Sequence, residues 1–100
     1  MKINILGRDF RVEEFGPSPM TRAAGDDDTC GCMVNAMSTI YIDPNQEIQS
    51  KESTLLHEVI EAVNSMLELK LEHTQICSLE TGIYSAIREK WKPFQKVSRK

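Results

Sequence analysis

A chain of 100 residues with 40% hydrophobic and 27% charged side chains has the composition of one soluble globular domain with a modest core. It is too apolar for a disordered segment and has no apolar run of the roughly 18 residues a transmembrane helix needs, and its start, MKINILGRDF, lacks the apolar stretch of a signal peptide. A cytoplasmic protein is expected, with no membrane partner, and its three cysteines, an odd number, read as reduced thiols rather than a disulfide framework.

The strand signals come first. Ile3 and Ile5 alternate with polar neighbours, Gly7-Arg8-Asp9 offers a turn, and Phe10 and Val12 alternate again, which predicts a hairpin. Residues 16–29, GPSPMTRAAGDDDT, form a loop by composition. Cys32 to Val34 and Ser38 to Ile42 predict a second hairpin turning near Asn35-Ala36, and Asp43-Pro44-Asn45 ends it because proline cannot continue a ladder.

The second half reads as helical. Ser50 offers an N-cap, with Glu52 in the first turn, where the helix dipole favours a carboxylate. Leu55, Leu56, Val59, Ile60, Val63, Met66 and Leu67 then recur at helical spacing, while His57, Glu61, Asn64 and Glu68 share a different face. A second helix begins near Glu72 or His73 and runs to about Lys90, with a core stripe of Ile76, Leu79, Ile83 and Ile87. His73, Cys77, Glu80 and Tyr84 flank that stripe. The short connector around Glu68 to Glu72 makes the helices neighbours. The expected fold is α+β: a small antiparallel sheet of two N-terminal hairpins followed by two packed helices.

The net charge of −3 divides unevenly along these elements. Residues 1–87 carry six basic and fourteen acidic side chains, whereas residues 88–100, REKWKPFQKVSRK, carry six basic and one acidic. We divide the chain into a single domain over 1–90 and a basic C-terminal tail over 91–100. The basic stretch 88–100 is the only hint of nucleic acid, and it lacks a defined binding motif, so it reads as a solvated end.

The stretch TLLHEVIEAVN, Thr54 to Asn64, carries the chemistry. It has the spacing of the zinc-protease helix HExxH, with Glu61 at the last ligand position. Residues at i and i+4 lie one turn apart on one helix face and can bind one ion, and the carboxylate at i+1 is placed to take a proton from water. Zinc accepts nitrogen, sulfur or carboxylate oxygen, so Glu61 is able to replace a histidine, at the expense of a less acidifying metal. By itself HExxE is also the ordinary wet face of a helix. What adds to it is His73, near the first turn of the second helix, where it can supply a missing ligand; the chain has just two histidines.

TLLHEVIEAVN, preceded by STIYID and followed by LKLEHTQICSLETGIYSAI, resembles the small phage-encoded zincin-like metallopeptidases of the ImmA/IrrE type. The resemblance covers residues 38 to about 90, includes Leu79-Glu80-Thr81-Gly82-Ile83-Tyr84 as a family-like helix ending, extends loosely to the N-terminal hairpin, and leaves 16–37 unmatched. It implies a minimal zincin-like fold with a zinc ion under a small sheet. Carried over by position, His57 is the first ligand, Glu58 the general base, Glu61 stands for the second histidine, and His73 stands where such proteins place an acidic third ligand. The set is then histidine, glutamate, histidine, with Glu80 as the rival third ligand or a carboxylate that supports a ligand from behind.

Other groups stay open. Tyr84 is an oxyanion donor or, preferably, a ring packed on the core with a wet hydroxyl. Cys77 is a thiolate ligand or, preferably, a buried thiol. Cys30 and Cys32 form a CxC, a weak metal signal, and Asp26-Asp27-Asp28 lacks the spacing of a calcium loop. Two functions follow: a zinc-dependent metallopeptidase using Glu58 to hydrolyse a peptide bond in a peptide or protein substrate, or an inactive zincin-like phage protein that binds or inhibits a protein of its bacterial host.

Overall fold

The computed structural model describes residues 1–14, 31–34 and 38–94. Four strands come first: β1 (Lys2–Ile5), β2 (Arg8–Glu14), β3 (Gly31–Val34) and β4 (Thr39–Ile42). Two helices follow, α1 (Ile48–Leu67) and α2 (His73–Ile87). This is an α+β architecture with a small sheet and two packed helices.

β1 and β2 form the expected hairpin, with Ile3 opposite Phe10 and Ile5 opposite Arg8. The turn is Leu6-Gly7, one step earlier than the expected Gly7-Arg8-Asp9, so Arg8 and Asp9 belong to β2. Both turn residues have positive φ, 54° and 87°, as the tight turns that match strand twist require. The Asn4 side chain braces it, accepting from the Gly7 N–H and donating to Asp9 Oδ1, each at 3.0 Å.

The strand order is β1-β2-β4-β3. Each hairpin is antiparallel, but β2 and β4 pair in parallel, from Arg11 opposite Thr39 to Glu14 opposite Ile42. The sheet is therefore mixed, which corrects the wholly antiparallel expectation. The chain passes from β2 to the far edge strand β3, then turns back so that β4 fills the gap in the same direction as β2. The pairing sets Phe10, Val12, Ile40 and Ile42 on one face, all buried, while Asp9 and Arg11 face outward.

α1 covers the apolar face. Leu55 and Ala62 are fully buried there, with Val59, Val63 and Met66 at the margin. The helix starts three residues before the position expected from Ser50: Glu47 is its N-cap residue and makes no side-chain cap bond. The Asp43-Pro44-Asn45 break is present, with the Asn45 N–H donating to Asp43 Oδ1 at 3.0 Å. α1 ends on Glu68 in the left-handed conformation, where the Leu69 N–H bonds back to the Asn64 carbonyl at 3.0 Å. The Asn64 side chain then accepts from the Leu71 N–H at 2.9 Å, which fixes the connector. Glu72 and Gln75 form a reciprocal capping box at the start of α2.

α2 packs on a different side of α1 from the sheet, through Leu56, Ile60 and Ile76. With α1 as its one large neighbour, α2 buries a narrow seam that keeps only Ile76 and Ile87 of the expected apolar stripe. Ile76 is buried, but Leu79 and Ile83 are 43% and 40% exposed. The side chains turned inward are Cys77, Glu80, Tyr84 and Ile87, all half-buried. α1 presents Glu52, Ser53 and His57 to this seam, and their bonds to Glu80 and Tyr84 set the rotation of α2.

The start of the expected basic tail is part of the packing. Trp91 touches both apolar clusters, Phe94 packs on the sheet side, and the Lys51 ammonium lies 4.9 Å from the Phe94 ring centre. Residues 95–100 lie outside the described residues. So do Cys30, Asp26-Asp27-Asp28, the turn at 35–37 and the side chain of Cys32.

Candidate metal centre

The site forms because two i, i+4 pairs face each other across antiparallel helices. His57 and Glu61 lie one turn apart on α1, and His73 and Cys77 one turn apart on α2. His57 is at the centre, with its side chain 16% exposed. Its Nδ1 lies 2.8 Å from Glu80 Oε1. A carboxylate only accepts, so in the neutral imidazole this contact puts the proton on Nδ1 and leaves the Nε2 lone pair for a metal. Nε2 points toward Glu61, 3.4 Å from its Oε2. The His73 ring stands 5.4 Å away, centre to centre, inclined at 61°.

Glu80 is held at both oxygens. One takes His57, and the other accepts a hydrogen bond from the Ser53 hydroxyl. Ser53, His57 and Glu61 occupy successive turns of α1. The sequence reading followed that strip forward from His57 and missed Ser53 behind it. The same spacing of four residues, extended one step back, is the signal that reveals it.

His57, Glu61 and His73, the three ligands expected from the sequence, have donor atoms all within 4.8 Å of one another. His57, Cys77 and Glu80 form a second such group. The placement of Glu80 is that of a carboxylate behind a ligating histidine, where it fixes the tautomer and raises basicity. The donor set fits a divalent cation. Two imidazoles, carboxylates and a thiol are ligand types zinc accepts, and the negative charge gathered around His57 favours a cation.

Glu58 is 7% exposed. Burial raises its carboxyl pKa to about 7; His57 opposes the rise, and the negative charges of Glu61 and Glu80 add to it. It thus exchanges a proton near neutral pH, as a general acid-base group must.

Tyr84 packs its ring on the Leu56–Ile60–Ile76 cluster, as expected, but its hydroxyl donates to Glu52 Oε1 at 2.6 Å. Burial and this bond push the phenol up to about 12. With its proton committed to Glu52, Tyr84 ties α2 to α1 and is not placed as an oxyanion donor. Glu52 is 1% exposed, and its other oxygen, Oε2, has no hydrogen-bond partner among the described residues. The sequence reading put this residue in the first turn as a dipole-favoured carboxylate; with α1 starting at Ile48 it lies deeper, in the helix–helix seam.

No protein-family model matches the chain, and no match was found among characterised proteins or among solved structures. No helix among the described residues is long and apolar enough to cross a membrane.

Proposed function

We propose that this chain is a zinc-dependent hydrolase of the zincin-like kind, acting on a peptide bond in a peptide or protein substrate. The observation that carries the reading is the 2.8 Å contact of His57 Nδ1 with Glu80, which turns Nε2 toward Glu61 and His73. His57, Glu61 and His73 would hold the ion. Zinc, when bound, supplies Lewis acidity toward a carbonyl and toward water. Ser53 and Glu80 hold His57 in one tautomer and orientation. Glu58 accepts a proton from the attacking water at its carboxylate and returns it to the leaving amine, and a carboxyl titrating near pH 7 is suited to both steps. On this reading the protein acts in the cytoplasm of a bacterial host, where the thiols stay reduced.

Elemental analysis of the purified chain is the first test. One zinc per chain is expected, and a metal-free protein that takes up no zinc ends the proposal. His73→Ala should lower the content, while Glu80→Gln should weaken affinity about 10- to 100-fold without removing a ligand. Glu61→His should raise affinity or activity. Glu58→Gln should keep the metal and lose hydrolysis of a candidate host protein. An effect on that protein that survives Glu58→Gln supports the second reading, a zincin-like binding protein. Leu79 and Ile83, apolar and outward-facing on α2, are the observation that favours it.

A further inference from the structure

The reading above leaves Cys77 without a role, and the geometry places it at the metal centre. Cys77 is a free, half-buried thiol one turn after His73 on α2. Its Sγ lies 3.4 Å from His73 Nε2. It also belongs to the second donor group, with His57 and Glu80. The two groups overlap at His57, and the contact between His73 and Cys77 links them.

Bond lengths can be compared with these spacings. Zinc bonds of about 2.0–2.1 Å to nitrogen or oxygen and about 2.3 Å to sulfur place tetrahedral neighbours about 3.3–3.6 Å apart. Both i, i+4 pairs have this separation: His57 Nε2 to Glu61 Oε2 is 3.4 Å, and His73 Nε2 to Cys77 Sγ is 3.4 Å. Each helix thus contributes one pair of donors at ligand spacing; Cys77 shares its donor group with His57 and Glu80 rather than with Glu61, so the two pairs must draw together to hold one ion. His73 is exposed, so it is free to adjust as the two pairs close on one ion.

We infer that Cys77 is a fourth protein ligand, so that His57, Glu61, His73 and Cys77 enclose the ion and the thiolate holds the coordination position that a hydrolytic site leaves to water. The inference rests on the metal reading above and deepens it into a mode of regulation. Two neutral imidazoles, one carboxylate and one thiolate cancel the charge of a divalent ion, which weakens its action on water. Binding displaces the thiol proton to solvent. The loaded chain is then latent, and withdrawal of the Cys77 sulfur from the ion opens it.

Cobalt(II) titration tests this directly. Cys30→Ser and Cys32→Ser are introduced together, so that Cys77 is the chain's one remaining thiol. One equivalent of cobalt should give an intense near-ultraviolet thiolate-to-cobalt charge-transfer band together with the visible bands of tetrahedral cobalt. Adding Cys77→Ser should abolish the ultraviolet band and weaken affinity by more than the ~10- to 100-fold typical of losing a group behind a ligand. One bound cobalt with no thiolate band overturns Cys77 as a ligand and leaves the three-residue site standing. No bound cobalt overturns both. The main readout comes from a chain with Cys77 intact, so it does not depend on whether the Cys77 variant folds.

Discussion

Against the sheet, α1 sets Leu55 and Ala62 onto Phe10, Ile40 and Ile42 in the larger apolar cluster. Against α2 it sets only Leu56 and Ile60 onto Ile76, and most of the remaining seam is Glu52, Ser53 and His57 bonded to Tyr84 and Glu80. Apolar packing is non-directional and scales with area, so the first interface carries most of the stability. Hydrogen bonds are directional and cost most when one partner is left alone, so the second interface fixes how α2 is turned and which side chains meet. One helix thus holds the fold with one face and builds the candidate site with the other.

Truncation separates the two interfaces most sharply. Phe10→Ala should destabilise by about 3–5 kcal/mol in urea unfolding, whereas Ile76→Ala, in the smaller cluster, should fall near about 2 kcal/mol. Equal losses would mean that the two interfaces share one core.

The next effect is pH-dependent and belongs to the metal-free chain. Glu58 has a folded pKa of about 7 against 4.5 for a freely solvated carboxyl in the unfolded chain, so the folded state holds its proton more tightly. Its contribution is fully present below pH 4.5 and is lost as the pH rises through 7. The change is up to about 3 kcal/mol. Glu58→Gln should flatten the stability profile across this window, and an unchanged slope would remove Glu58 as its cause.

Tyr84→Phe tests the polar seam on a smaller scale. It leaves the buried Glu52 carboxyl without its hydrogen bond and should cost about 1.5–3 kcal/mol. Replacing both residues, as Glu52→Leu with Tyr84→Phe, should cost less than the sum of the single changes. Additive losses in that cycle would show that the two side chains do not act as a pair.

The smallest expected effect is on the outward face of α2. Leu79→Ala should change stability by less than about 0.5 kcal/mol. A loss of about 2 kcal/mol or more would mean that Leu79 is buried as a core residue.

Much of this was readable locally. Alternation at Ile3, Ile5, Phe10 and Val12 and the helical spacing from Leu55 to Met66 located the hairpin and α1, because each pattern commits its own segment. The His57 and Glu61 pair follows from one helical turn, and the short connector was enough to bring His73 within reach. The capping error at Ser50 had a local origin too: a favourable cap residue was present, but α1 begins earlier, at Ile48.

The sequence by itself determined the elements, the i, i+4 geometry of His57 with Glu61 and of His73 with Cys77, and the neighbourhood of the two helices. These depend on short-range periodicity. Only the tertiary structure decided the parallel pairing of β2 with β4, the outward turn of Leu79 and Ile83, and the bonds of Ser53 to Glu80 and Glu52 to Tyr84. The physical reason is shared: a helix or strand states which residues lie together on a face, but its neighbours decide which face is buried. α1 had already covered the sheet, and its second face offered polar partners, so α2 turned its polar strip inward.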